Sequence, residues 1–253
     1  MHIAIISDIH ANLPALEACL ADIATLKVDA VYCLGDLVGY NVWHNEVIDC
    51  IRSARIPTIA GNYDVGIGAA SDDCGCAYTT EQERQLGKQS IAYTNATITD
   101  ERRSYLRSLP AHLTIEYRRA SGELFRLMMV HGSPRRVNEY LFADRSQESL
   151  RRIVENANAD VLLCGHTHIP YHRIITATDG RTLQVINVGS VGKPKDRDPR
   201  ACYAVLRLEE DSSGIQCQVA FRRITYDVER AARAIEQSPL PDEYAAMLRA
   251  GGN

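Results

Sequence analysis

Residues 2–12 read HIAIISDIHAN, an apolar run from His2 to Ile6 that breaks off into Ser7, Asp8, His10 and Asn12. Such a short run ending abruptly in polar residues reads as a buried strand delivering side chains to the edge of a sheet. Asn12 then stands at an N-cap position, with Pro14 in the first helical turn and Leu16, Leu20 and Ile23 at helical spacing behind it. The unit is strand, polar loop, helix. It returns as AVYCL (30–34) before GDLVGYN, and as PTIA (57–60) before GNYD (61–64). Repeated βα units imply parallel strands whose loops gather at the strand C-terminal ends.

Further along, residues 66–80 are rich in Gly, Ala, Asp and Cys without periodicity, which predicts a loop over that edge, and a mainly helical stretch follows to about 109. HLTIEYRRASGELFRLMMVHGS (112–133) reads as two strands around a turn containing Ser121 and Gly122, the second ending at His131. A helix over about 146–157, with Leu150, Ile153 and Val154 on one face, leads into DVLLCGHTH (160–168). Asp179-Gly180 is expected to make a type I′ hairpin turn between YHRIITA and TLQVINVGS. Two more alternating strands, CYAVLRLEE and IQCQVAFRRITY, precede one closing helix that begins near Asp227. A βα-rich first half and a hairpin-rich second half predict an α/β fold with two packed sheets and helices outside.

Composition narrows the class. Of 253 residues, 45% are hydrophobic and 24% charged, which excludes a disordered tail or a collagen-like fibre. A net charge of −4 excludes a bulk nucleic-acid binder, since that mode needs many cations to displace phosphate counterions. The apolar stretches are strand-sized, so no membrane span is expected. Eight cysteines in a chain this long, without a leader-like segment, point to a reducing, cytoplasmic setting. Cys19, Cys33, Cys50, Cys164, Cys202 and Cys217 read as small buried hydrophobes.

Five expected strands end in residues able to bind metal: Asp8 and His10, Asp36, Asn62, His131, then His166 and His168. Strand residues at i and i+2 share a face, so Asp8/His10 and His166/His168 can each point to a common locus. Carboxylate, imidazole and amide oxygen without thiolate suit a hard or borderline divalent ion. Seven candidate ligands are too many for one catalytic ion, and two ions are the natural count.

In order, DxH, GD, GN, HG and GHTH resemble the motifs of the calcineurin-like metallophosphoesterases, above all their compact prokaryotic phosphodiesterase branch, and INVGSVGKP resembles that branch's NPGSVG segment. The resemblance implies a single domain over 1–253, with the motif-bearing core over about 1–207 and C-terminal strands and a helix over 208–253. It implies a four-layer αββα sandwich of two mixed sheets with the metal site at strand C-terminal ends. Asp8, His10 and His168 would hold one ion, Asn62, His131 and His166 the other, and Asp36 would bridge them. The ions would be Mn²⁺ before Fe, Zn, Ni or Mg, activating a bridging hydroxide for in-line attack on a phosphoester.

The family pattern GNHD is GNYD here, with Tyr63 where the histidine contacts phosphoryl and leaving-group oxygens. Tyrosine has no cationic form and is a poor acid at neutral pH. Asn62, Tyr63, Asp64 and His131 are the catalytic candidates. Arg135 and Arg136 are candidate phosphate contacts, and Asn12 is a helix cap or a phosphate contact. His44 is a candidate substitute for the missing histidine; Lys193, Lys195, Arg197 and Arg200 can gather an anion. The Asp72–Cys76 run is expected to form a mobile lid. The expected function is a phosphodiesterase acting on a small phosphodiester or nucleotide-type substrate. The alternatives are a phosphomonoesterase acting on nucleotides and a metal-binding scaffold, since the fold also resembles the retromer scaffold subunit, which lacks the same histidine. The expected partner is that small phosphoester or nucleotide, with no bulk nucleic acid and no membrane.

Overall fold

The computed structural model describes residues 1–119, 122–211 and 214–252. Strand β1 (His2–Ile6) leads into helix α1 (Leu13–Thr25), whose N-terminus is capped by the Asn12 side chain accepting from the Ala15 amide. Next come β2 (Ala30–Cys33), α2 (His44–Ser53), α3 (Asn62–Gly68), α4 (Glu81–Thr97) and α5 (Asp100–Ser108). The middle of the chain forms β3 (His112–Arg118), β4 (Leu124–Val130), α6 (Gln147–Asn156) and β5 (Val161–Cys164). It closes with β6 (Tyr171–Thr176), β7 (Thr182–Asn187), β8 (Ala201–Asp211), β9 (Gly214–Ile224), α7 (Val228–Glu236) and α8 (Glu243–Ala250).

The strands form two sheets, ordered β2-β1-β8-β9 and β3-β4-β5-β7-β6. Both are mixed. β1 is parallel to β2 and antiparallel to β8, while β4 is antiparallel to β3 and parallel to β5, which is parallel to β7. Strand alternation assigns the layers. Ile3 and Ile5 of β1 join Val161 and Leu163 of β5 in one apolar cluster between the sheets. Ala4 and Ile6 face the other way, toward α1, α7 and α8, and Leu162 and Cys164 pack toward α6. A strand buried on both faces reads as an unbroken apolar run, which is how His2–Ile6 and Val161–Cys164 look in the sequence. The α/β four-layer sandwich is therefore as expected.

Several local expectations are corrected. PTIA is not a full strand, because only Thr58 bridges to Cys33, held by the Cys33 amide on Pro57 and the Ile59 amide on Cys33. The loop begins at 69 rather than 66, since α3 runs to Gly68. The β6–β7 turn is not type I′: Gly180 alone has positive φ (+88°), and its amide bonds to the Ala177 carbonyl, leaving a three-residue loop. The closing helix is two, α7 capped by Asp227 and α8. Ser121 lies outside the described residues; Gly122 has φ +90°. All eight cysteines are free, and Cys50 is half-buried rather than buried. No helix among the described residues is long and apolar enough to cross a membrane.

Candidate metal centre

Four strand exits and one helix N-terminus carry the parts of the site. Asp8 and His10 lie just beyond β1, Asp36 beyond β2, Asn62 opens α3, His131 lies beyond β4, and His166 and His168 beyond β5. Gly35 makes the exit from β2 feasible: its φ is +89°, and a Cβ there would lie 2.3 Å from the Gly61 amide nitrogen. At Gly61 the reason is proximity, since a Cβ would sit 2.1 Å from Asp36 Oδ1. Gly35→Ala is expected to cost about 3 kcal/mol or more, combining left-handed strain with a backbone clash. Thermal unfolding would show it as a fall of roughly 10 °C; an unchanged midpoint would mean the two loops part without penalty.

The ligands do not converge by strand alternation. Asp8, His10, Asp36, His166 and His168 all have positive φ, between 47° and 66°, so left-handed turns aim the side chains. His166 and His168 consequently diverge. Their ligand atoms fall into two buried groups, Asp8–His10–His168 and Asp36–His131–His166, each with its atoms within 4.8 Å of one another.

Second partners orient the rings. His10 Nδ1 donates to Val38 O (2.9 Å), His131 Nδ1 to Leu34 O (2.8 Å), and His168 Nδ1 to Lys193 O. A carbonyl can only accept, so in the neutral rings each Nε2 presents a lone pair inward. There His10 Nε2 and His168 Nε2 face each other at 3.2 Å, and His131 Nε2 faces Asn62 Oδ1 at 3.1 Å. Buried His166 Nε2 has no partner. Buried imidazole nitrogens and carboxylates converging on one spot are the arrangement a cation resolves, and the nitrogen and oxygen donors fit divalent ions.

Asp36 occupies the junction: its Oδ2 lies 3.5 Å from His10 Nε2 and 3.3 Å from His131 Nε2, one ring from each group. Its Oδ1 accepts from the Tyr63 amide. Asp64 holds this junction together, accepting from the amides of Gly61, Asp36 and Leu37. Burial and then the neighbouring Asp36 push the Asp64 carboxyl up to about 7, against three N–H donors that favour its ionised form. The structure therefore gives Asp64 a positioning place rather than one facing the cleft.

Burial acts to lower His131, but the Asp36 and Asp8 carboxylates outweigh it and push the ring up to about 10. Burial dominates at His10 and His166 and lowers each to about 3. For Asp8, burial alone would raise the carboxyl, yet His168, His131 and His10 hold it well below the usual range. At pH 7 His131 thus carries the proton that a metal would displace. Mn²⁺ loading at pH 7 is expected to release about one proton per chain, with affinity rising between pH 7 and about 10 as that proton is lost. Calorimetry in buffers of different ionisation enthalpy reads the proton count; zero release would misplace it.

The two groups open into a cleft of about 360 Å³, lined also by Tyr40, Tyr63, Tyr78, Tyr140, Phe142 and Tyr244. A family model described as the calcineurin-like phosphoesterase superfamily domain matches residues 1–211. The chain belongs to that superfamily. It is 31% identical to an uncharacterized protein of Methanocaldococcus jannaschii, over 98% of each chain. Its fold matches the crystal structure of a metallophosphoesterase from Sphaerobacter thermophilus, with TM-score 0.72, 28% identity and 99% of each chain covered. A hypothetical protein of Pyrococcus horikoshii matches with TM-score 0.79 and 25% identity, over 100% of this chain and 99% of the other.

Other expected residues lie elsewhere in this superfamily fold. Asn12 is wholly used: Oδ1 caps α1 while Nδ2 donates to Gly192 O and Tyr226 OH, so it is a cap and not a phosphate contact. Arg135 is held by Glu139, four residues on, and neither it nor Arg136 lines the cleft. His44 is buried against Tyr93, with both ring nitrogens unpartnered, and does not replace the missing histidine. Arg200 pairs with Asp198, and Arg197 does not line the cleft, whereas Lys193 and Lys195 do. The 69–80 segment is tied down rather than loose: Cys74 is buried, Asn62 Nδ2 donates to Cys74 O, and Asn138 Nδ2 to Gly75 O. Its residues 76–79 line the cleft. Sequence reasoning missed the tyrosine wall; the available signal was twelve Tyr against three Phe and one Trp.

Proposed function

We propose that this chain is a phosphoester hydrolase using two divalent ions, Mn²⁺ before Fe, Zn, Ni or Mg, on a small phosphodiester or nucleotide-type substrate. The carrying observation is the place of Asp36 Oδ2 between His10 of one ligand group and His131 of the other. Asp8, His10 and His168 would hold one ion, Asn62, His131 and His166 the other, with Asp36 shared. Ions bound there supply charge neutralisation at phosphoryl oxygens and water activation near neutral pH.

The chain itself does the positioning. Backbone carbonyls keep each Nε2 turned inward, Asp64 locks the loops bearing Asp36 and Asn62, and Asn62 Nδ2 is engaged by Cys74 O so that Oδ1 faces His131. Tyr140 packs on the His166 ring with centroids 4.1 Å apart and stacks on Phe142, which is 46% exposed at the cleft. An exposed aromatic stack beside a phosphoryl site favours substrates with a flat group such as a nucleobase. The neutral Tyr63 keeps a metal-binding scaffold as the second reading.

The test is turnover of bis-p-nitrophenyl phosphate and a panel of nucleotide mono- and diesters by the Mn²⁺-loaded protein. Metal-dependent hydrolysis is expected, with diesters preferred. Stoichiometric metal without turnover of any ester would leave only the scaffold reading.

A further inference from the structure

The chain has four lysines, Lys27, Lys88, Lys193 and Lys195, and two of them line the cleft. Lys193 is unlike an ordinary surface lysine. It is only 8% exposed, and its Nζ lies 4.6 Å from the Tyr40 ring centroid and 5.9 Å from that of Tyr244. Among the described residues, no carboxylate forms an ion pair with it. The nearby Glu83 is occupied, accepting from both the amide and the hydroxyl of Thr79. Lys195, the other cation facing the cleft, is exposed and of the same sign.

The backbone holds Lys193 beside the centre. Its amide donates to Ser190 Oγ, which itself donates to the Asp8 carbonyl, and its carbonyl accepts from His168 Nδ1. The preceding Gly192 lies so close to Ile9 O that a Cβ would come within 1.7 Å. The Tyr40 ring is the common neighbour: Lys193 Nζ lies over it, while the rings of His10 and Tyr63 stand 4.8 Å and 4.7 Å from it. Tyr63 is 1% exposed with its hydroxyl unpartnered, and it brings no charge to this corner.

We infer that Lys193 is the cation of the phosphoryl site, binding an oxygen of the substrate phosphate and supplying the positive charge that Tyr63 lacks. Burial and then the neighbouring Lys195 push the Lys193 ammonium down to about 7; the Tyr40 and Tyr244 ring faces offset part of that without consuming the charge, because a ring face offers a quadrupole and no counter-charge. An anion entering the cleft is the missing partner. This inference rests on the phosphoesterase reading above.

The test is calorimetric binding of inorganic phosphate to the Mn²⁺-loaded protein and to K193M, K193R and K88M, with metal content and melting midpoint measured on each. K193M is expected to keep its metal and bind phosphate about 10- to 100-fold more weakly, the loss typical of a charge-assisted hydrogen bond. K193R should stay within about fivefold of wild type, and K88M, which removes one charge outside the cleft, should match it. Phosphate binding by K193M equal to that of wild type overturns the inference and leaves the phosphoesterase reading standing. A wild type that takes up metal but binds no phosphate overturns both. If K193M misfolds, K193Q replaces it, and equal binding there is equally decisive.

Discussion

Asp36→Asn is expected to cost the centre at least one ion while leaving the fold intact. The substitution is nearly isosteric, its Oδ1 can still accept from the Tyr63 amide, and it removes a charge buried beside Asp8 and Asp64. It also removes the oxygen that stands 3.5 Å from His10 and 3.3 Å from His131. Two ions about 3.5 to 4 Å apart repel strongly unless an anion lies between them, so on the proposed two-ion reading losing the Asp36 carboxylate should cost the second ion first. Metal content should fall from about two to one or fewer per chain. Hydrolysis should fall by about 10³-fold or more, equivalent to about 4 kcal/mol of transition-state stabilisation. Elemental analysis of gel-filtered protein and initial rates on an aryl diester check both. Two metals retained in Asp36→Asn would mean that Asp36 is not shared.

Tyr63→His has the second largest expected effect, and its size depends on Lys193. An imidazole at this position restores a group able to carry a proton near neutral pH, and such help is typically worth about 10² to 10⁴ in rate. The smaller ring also fits the space that Gly39 leaves, where an added Cβ would lie 2.4 Å from the Tyr63 ring. If Lys193 already supplies the charge, the gain in the wild-type background should be modest, about tenfold. In a Lys193→Met background it should reach about 10². This non-additivity is what two residues serving one oxygen should show. Equal gains in both backgrounds would separate their roles, and no turnover in any combination would favour the scaffold reading.

The positions of the candidate ligands were legible in apolar runs and periodicity, but their aim was not; only the motif resemblance divided His166 and His168 between two groups. His2–Ile6 and Val161–Cys164 announce doubly buried strands, and the residues immediately beyond such a strand must lie at the sheet edge, so Asp8 and His166 could be placed from apolar runs alone. Alternation then suggested that His166 and His168 serve one locus. The left-handed φ values of 66° and 61° send them to different groups, a choice made by backbone hydrogen bonds that no periodicity encodes. Arg135 failed for a related reason: closeness to His131 in the chain says nothing about Glu139, whose carboxylate takes the guanidinium. Asp64 looked catalytic as part of the motif, yet its three amide donors come from two separated loops. Lys193 could be read as a loop charge; its burial depends on Tyr40 and Tyr244, which lie far from it in the chain on opposite sides.

The left-handed ligand turns set folding against function. Five non-glycine candidate ligands, with Ala11 and Tyr40 beside them, sit at positive φ, where each L-residue costs roughly 1 kcal/mol or more. The sheets and their apolar layers must carry this strain before any ion arrives. Drift toward glycine at His168 or His166 would then relieve the backbone while discarding a candidate ligand, and a lineage selected only for thermal robustness would lose the candidate metal site long before the sandwich.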